Sequence, residues 1–518
     1  MSTTINPTTT KSWKKLKAHF QDIESVHLNE LFAKDQKRAE KQNIQLENLS
    51  FNYSKNRITD QTLQLLLELA SEVGLENAIE YLFTGKKINT TENRAVLHTA
   101  LRDFTDQNII VDKEAVFPLV KNARLKVKSF TQKVVNGNWK GYTDKTITDI
   151  VNIGIGGSDL GPQMVVEALG FYSNQLNTHF ISNIDGDAVH QTLSKLDPET
   201  TLFIIVSKTF TTIETLTNAT TCKEWLLKKS PKTAIAQHFI AVSTNKKAVI
   251  DFGIHADSVF PMWDWVGGRF SMWSSVGISI ALAIGYDNFE QFLKGANTVD
   301  IHFRETPFDK NIPILMGLLS VWYTNFFTIS EEAILPYAES LNKLVAYLQQ
   351  LFMESNGKSV DKNAEKVNYA TGNVIFGSTG TNAQHSFMQH IHQGTHLIPV
   401  DFIGFEHSLY GDTLHHKILM ANFKAQSLAL QKGKTKEAVH LDMKFNGNLK
   451  QINKLLPYKV FEGNRVSNEL LFDKLTPFNL GMLIALYEHK VFTQGIIWNI
   501  NSFDQFGVEL GKEMAKHF

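Results

Sequence analysis

Between Ile147 and Gly253, four short β-rich runs each lead into a helical stretch: TDIVNIGIGG before PQMVVEALG, THFISNI before DAVHQTLSKL, TLFIIVSKT before IETLTNATTCKEWL, and HFIAVST before NKKAVIDFG. Strands separated by crossover helices pair in parallel, so this stretch predicts a parallel sheet with helices on both faces. A further strand, loop and helix follow at NVIFGSTGTNAQHSFMQHIHQG, and LIPVDFIGF reads as another strand. The N-terminal part looks mostly helical: Ile58 to Gly74 carries an amphipathic stripe, with Thr59 as N-cap and Ile58 and Leu63 as a hydrophobic staple. Helical patterns return from Asn288 to Met353, with a break at FRETPFDKNIP.

At 518 residues the chain is longer than one core supports, which implies two domains or three. Lys plus Arg and Asp plus Glu each number 52, so the formal net charge is zero and no global field draws nucleic acid or anionic lipid. The longest apolar run, Val276 to Ile284, is far short of the roughly 20 residues of a spanning helix and reads as a buried element. The opening residues lack the apolar segment of a signal peptide, and a single cysteine, Cys222, fits a reducing compartment. The expectation is a cytoplasmic protein without nucleic-acid or membrane partners.

Two loops are built for an anion. In GIGGSDLGP the glycines follow a strand and Ser158 opens a helix, which aims backbone N–H groups and a hydroxyl at the positive end of a helix dipole. A tight turn where only glycine fits is the other reading of the same residues. Asp159 stands where a dinucleotide fingerprint needs glycine and no GK[ST] follows, so a phosphate without a nucleotide is what the loop offers. The second loop, SKTFTTIET, presents Ser207, Lys208, Thr209 and Thr212 at a strand end, the edge where open α/β sheets bind ligands. A hydroxyl-rich helix cap would look the same in sequence.

Glu354 ends the helical run LNKLVAYLQQLFME, where the dipole disfavours its charge and pushes its pKa toward that of a general base; taken alone, it also reads as a solvated glutamate beside a loop. Gln350 lies four residues earlier on the same face. His385 falls in the first turn of the helix after GSTGTN, where the dipole keeps an imidazole neutral. His390, His392 and His396 follow, and a metal site competes there with scattered histidines, although no HExxH or paired carboxylates accompany them. Arg269, in PMWDWVGGRFSMW, can be a rigid cation beside an oxyanion, or can pair with Asp264 or stack on a tryptophan. Lys512 alone is an exposed lysine near a helix end.

Together these blocks resemble the glucose-6-phosphate isomerase family: GIGGSDLGP, SKTFTT, GGRFSMWSSVG, MESNGK, GTNAQHSFMQHIHQGT and SFDQFGVELGK stand in that family's order. NYSKNRITD, TENRAVLHTALR, WKGYT, HHKILMANF, FEGNR and LTPFNLG extend the resemblance from about Asn52 to Lys512. It implies two α/β/α sandwich domains of the sugar-isomerase (SIS) type, flavodoxin-like, with mainly parallel sheets and additional helices. The expected division is 1–117 as the N-terminal helical part of the large domain, 118–285 as the small domain, and 286–518 as the large domain with a short C-terminal helix.

The resemblance also implies an aldose–ketose isomerase for glucose 6-phosphate and fructose 6-phosphate that uses no metal and no organic cofactor. By position, Ser158, Ser207, Lys208, Thr209 and Thr212 match the phosphate-holding residues. Glu354 matches the base that moves a proton between C2 and C1 through a cis-enediol(ate), and Arg269 the cation beside that intermediate. His385 with Lys512 matches the ring-opening groups, the histidine coming from the partner in a homodimer. Gly157, Gly268, Gln350 and Gln505 match pocket residues, and Glu214 an acidic pocket residue. Two other readings stand beside this one: a non-catalytic phosphosugar-binding regulator of the same architecture, and a metal-assisted isomerase using the histidine cluster.

Overall fold

The computed structural model describes residues 4–105, 108–444 and 449–517. Strands β1 (Asn43–Leu46) and β2 (Leu49–Lys55) form a hairpin, and β3 (Ile110–Val111) and β4 (Glu114–Ala115) a minimal one. Then β5 (Asp149–Ile153), β6 (Asn177–Ile181), β7 (Thr201–Val206), β8 (Phe239–Val242) and β9 (Val259–Phe260) build a parallel five-stranded sheet in the order β6-β5-β7-β8-β9. The central strand β7, TLFIIV, is buried at every residue, as a strand covered by helices on both faces must be. The sheet's four longest members are the strands expected from the strand-then-helix pattern.

A second sheet, in the order β1-β2-β13-β12-β10-β11, joins β10 (Glu331–Pro336), β11 (Val374–Gly377), β12 (Val400–Phe405) and β13 (Ser467–Phe472) to the early hairpin. Its late strands are parallel, whereas β2 runs antiparallel to β13, with Phe51 opposite Leu470. Helix dominates 288–353 as expected but is interrupted by β10, and the helical start is interrupted by the β1–β2 hairpin, two elements that the expectation did not include. Helix Asp60–Glu72 begins where expected: Thr62 N–H donates to the Thr59 hydroxyl, and Thr59 N–H donates to the Thr62 hydroxyl, a reciprocal cap that stops both donors being orphaned.

The helix breaks between Tyr286–Glu305 and Ile312–Asn325, at the predicted place. Helix Tyr286–Glu305 packs against Pro477–Ile497 at backbone distance: a Cβ on Gly295 would stand 1.8 Å from Phe478 O, and one on Gly481 2.0 Å from Phe292 O. Helix Ile278–Ile284 is buried throughout, and among the described residues no helix is long and apolar enough to cross a membrane.

Candidate active site

The site starts at the C-terminal edge of the five-stranded sheet. Strand β5 runs out at Ile153 into the turn Gly154–Ser158, where Gly156 takes φ +62°, a left-handed conformation that favours glycine. A Cβ on Gly154 would lie 2.7 Å from Ser158 Cβ and 3.2 Å from Val206 O, so the turn is pressed onto the end of β7. Asn152 Nδ2 donates to Ser158 O at 3.0 Å and fixes the turn from beneath. Because Ile153 and Ile205 are paired, the Ser158 turn and the 207–212 loop leave the sheet side by side.

In that second loop the Ser207 hydroxyl donates to Thr212 Oγ1 at 3.3 Å, and the Thr209 and Thr211 hydroxyls lie 2.7 Å apart. Helix Ile213–Leu227 starts without a side-chain cap from Thr212, so capping is not what these hydroxyls do. Lys208 Nζ sits 3.2 Å from Asp264 Oδ1 and donates to Val266 O at 3.4 Å. Burial pulls the Lys208 ammonium below its usual pKa, and Asp264 works against that shift. Asp264 is thus the partner of Lys208, which corrects the pairing with Arg269 considered from sequence.

The tethered 264–266 segment leads into Gly268–Trp273, a tight helical turn that carries Arg269. Its start meets the anion loop without room for a side chain: a Cβ on Gly157 would stand 2.1 Å from Gly268 C and O. Arg269 is 2% exposed, and its guanidinium is held on several sides. Nε donates to Ser355 Oγ at 2.7 Å, Nη1 to Gln505 Oε1 at 3.0 Å, and Nη2 to Ser502 O at 2.6 Å and Asp504 O at 3.3 Å. Burial lowers its pKa, while Glu354 and Asp504 favour the charged form.

Glu354 Oε1 lies 3.7 Å from Arg269 Nη1. The carboxylate sits in the last turn of a helix that begins at Leu344 and widens into a π-helical turn over Gln350–Glu354. Glu354 Oε2 and Gln350 Oε1 are buried without a hydrogen-bond partner, and the amide of Gln350 is close enough to Gly156 that a Cβ there would be 3.3 Å from its nitrogen. Glu354, Gln350, Lys358 and Gln505 line a cavity of about 680 Å³. A carboxylate with hydrogen-bonding capacity to spare, on a residue that lines a cavity next to a rigid guanidinium, can take a proton from carbon while the cation stabilises the oxyanion that forms.

The structure therefore gathers Gly157, Ser158, Gly268, Arg269, Gln350, Glu354 and Gln505, with Ser207, Lys208, Thr209 and Thr212 on the adjoining sheet edge. Glu214 is half-buried in the first turn of Ile213–Leu227. His385 and Lys512 are exposed, and neither is among the described residues that line the Glu354 cavity. The first-turn position expected for His385 is corrected: helix Gly380–Gln384 is a single short turn that ends at His385, its C-cap, before a new helix starts at Met388. Among the described residues no three His, Cys, Asp or Glu side chains converge as a metal site; His392 instead lies 3.0 Å from Gln426 Oε1. Ser355, Lys358, Ser502 and Asp504 hold this site together and were not singled out from sequence. Their one legible signal is the i,i+4 spacing of Glu354 and Lys358.

Residues 52–518 match the family model described as phosphoglucose isomerase. The chain belongs to the phosphoglucose isomerase family. A relative from Christiangramia forsetii named glucose-6-phosphate isomerase is 57% identical over 512 residues, covering 99% of this chain and 94% of that protein. The crystal structure of a glucose-6-phosphate isomerase from Chlamydia trachomatis superposes with a TM-score of 0.87 at 34% identity, covering 99% of this chain and 96% of that one. A hypothetical protein from Thermus thermophilus shares the fold, with a TM-score of 0.67 at 22% identity over 88% of this chain and 96% of that one. Membership of the phosphoglucose isomerase family thus extends over nearly the whole chain, including both anion loops and the Arg269–Glu354 pair.

Proposed function

We propose that Glu354 is the base of a reversible isomerisation of D-glucose 6-phosphate to D-fructose 6-phosphate, a step of glycolysis and gluconeogenesis. The observation that carries the reading is the Glu354 side chain, which lines the cavity with its carboxylate 3.7 Å from the buried Arg269 guanidinium and one oxygen without a hydrogen-bond partner. Ser158, Ser207, Lys208, Thr209 and Thr212 bind the phosphate, which fixes the far end of the sugar and orients C1 and C2 against the carboxylate. Glu354 takes the proton from C2 of the open-chain aldose and returns it to C1, and Arg269 stabilises the cis-enediol(ate) between them. His385 and Lys512 assist ring opening. His385, exposed and away from the cavity lining, is donated by a second subunit, so the assembly proposed is a homodimer with the histidine given across the interface, working in the cytoplasm. Proton transfer of this kind calls on no redox group and no metal.

A regulator that only binds phosphosugars needs the two anion loops and nothing more. The Arg269–Glu354 pair, held by contacts from the helix end at Ser355 and from the 502–505 segment, favours the enzyme. The test is proton NMR of fructose 6-phosphate in D2O with EDTA present. Glucose 6-phosphate carrying deuterium at C2 is expected from the wild type and not from Glu354→Gln. Saturable binding of the sugar phosphate without conversion by the folded wild type would establish the regulator instead.

A further inference from the structure

Lys358 is not needed to bind phosphate or to move a proton, yet its ammonium is spent entirely at the site. Nζ donates to Glu354 O at 2.9 Å, to Ser355 O at 2.9 Å and to Asp504 O at 3.0 Å, and lies 3.3 Å from Asp504 Oδ1. An ammonium has three protons, and here each finds a carbonyl. Glu354 and Ser355 belong to the last turn of their helix, where carbonyls have no intrahelical donor; Lys358, reaching back from beyond the end, supplies one and places a cation at the negative end of the dipole.

The third acceptor makes this more than a helix cap. Asp504 belongs to the segment that holds Arg269 through Ser502 O, Asp504 O and Gln505 Oε1, while Ser355 holds the same guanidinium through its hydroxyl. Arg269 and Lys358 therefore clamp the same two pieces of chain from two sides and share Asp504 O as an acceptor. Asp504 is buried, and its carboxylate, beside the Lys358 ammonium, is itself held by the Thr91 hydroxyl at 2.6 Å. The Lys358 carbonyl is fixed in turn by the Thr371 hydroxyl, which prevents the lysine's own backbone from drifting.

We infer that Lys358 is a positioning residue: by tying the carbonyls of Glu354 and Ser355 to Asp504, it sets where the Glu354 carboxylate stands relative to Arg269. This rests on the proposed isomerase reading. Without the clamp the helix end and the 502–505 segment separate, the carboxylate moves off the line to C2, and binding of the phosphate at the other end of the substrate is untouched.

The experiment compares wild type, Lys358→Met, Lys358→Arg and Asp504→Asn in a coupled assay with fructose 6-phosphate and in C2 deuterium exchange, with thermal melts as the check on folding. For Lys358→Met, kcat and deuterium exchange fall together by between about tenfold and a hundredfold while KM stays within about threefold, the cost of a misplaced reacting group. Lys358→Arg, which keeps the charge and the donors, recovers part of the loss. Asp504→Asn, which keeps the carbonyl acceptor and removes the charge, loses less than Lys358→Met and serves alone if Lys358→Met does not fold: an unchanged kcat in a folded Asp504→Asn overturns the inference. So does a raised KM at unchanged kcat, which would make Lys358 a substrate-binding cation, or a lowered melting temperature at unchanged kcat. An inactive wild type overturns the isomerase reading itself, and the clamp inference with it.

Discussion

Gly157 lies backbone to backbone against Gly268, so close that a Cβ on Gly157 would stand 2.1 Å from the Gly268 carbonyl. The relationship is one-sided, since a Cβ on Gly268 meets nothing within 4 Å. Gly157→Ala must therefore push the anion loop and the Arg269 turn apart. We expect it to cost about 1–3 kcal/mol of stability, the usual range for overpacking. Separating the phosphate loop from Arg269 also lowers kcat/KM about a hundredfold. Gly268→Ala melts at the wild-type temperature. Equal melting temperatures for the two variants would show that the contact is not rigid.

A second prediction concerns the ion cluster under the site. Arg102, fully buried, donates to Asp300 through Nε and Nη2, both at 2.7 Å, and to Glu488 through Nη1 at 2.5 Å. His489 lies 2.7 Å from Asp300, and Trp273 Nε1 donates to Glu488 at 2.8 Å. The cluster joins helices Tyr286–Glu305 and Pro477–Ile497 to the Arg102 segment. Removing one carboxylate leaves a buried guanidinium half compensated, and Asp300→Ala is expected to destabilise the fold by about 3–5 kcal/mol. Urea unfolding checks it: the midpoint drops with the slope unchanged.

The same region makes stability fall in mild acid. His302 accepts the Ile312 N–H at Nε2, 3.0 Å away, which leaves Nδ1 as the donor to the Thr306 hydroxyl and the ring neutral. Burial depresses its pKa from 6.5 to about 4. Burial lowers the pKa of His19, His98, His238 and His489 as well. Between 6.5 and about 4 the unfolded chain binds a proton at His302 that the folded chain refuses, so stability is complete above 6.5 and declines as the pH drops through that window. His302→Gln, whose side-chain oxygen accepts the same N–H, gives a shallower dependence of the urea midpoint on pH across that window. An unchanged slope would remove His302 from the account.

What the sequence made legible divides along physical lines. Strands followed at once by a helix were readable because their apolar runs end in turn-forming residues, as at Ile153–Gly154 and Val206–Ser207. Strand β10, EEAILP, is a short apolar run flanked by helices, and local periodicity does not separate it from them. Strand β13 takes its place from Phe51, more than four hundred residues away in the chain, a pairing that no local pattern encodes. The site divides in the same way. Ser158, Arg269 and Glu354 announce themselves by chemistry at a strand or helix end, and family resemblance sharpened each of them. Lys358, Ser355 and Asp504 act through backbone carbonyls and a shared clamp, so their meaning exists only once the 354–358 turn and the 502–505 segment are side by side. His385 shows the opposite limit: its dipole argument needed a long helix, and the chain makes two short ones.

The exposed position of His385 gives the last prediction. In the proposed homodimer, one pocket combines Glu354 of its own subunit with His385 of the other. Glu354→Gln and His385→Ala are each expected to be inactive as homodimers. Coexpressed with different tags and purified through both, the hybrid contains one pocket that lacks both groups and one that is intact. It should show about half the wild-type activity per dimer, the value set by two-fold symmetry with one working site. If His385 served the pocket of its own subunit, each pocket of the hybrid would lack one group and the hybrid would be as inactive as its parents. A monomer on size-exclusion chromatography with full activity would rule out donation across an interface altogether, because a lone subunit has no partner to supply the histidine.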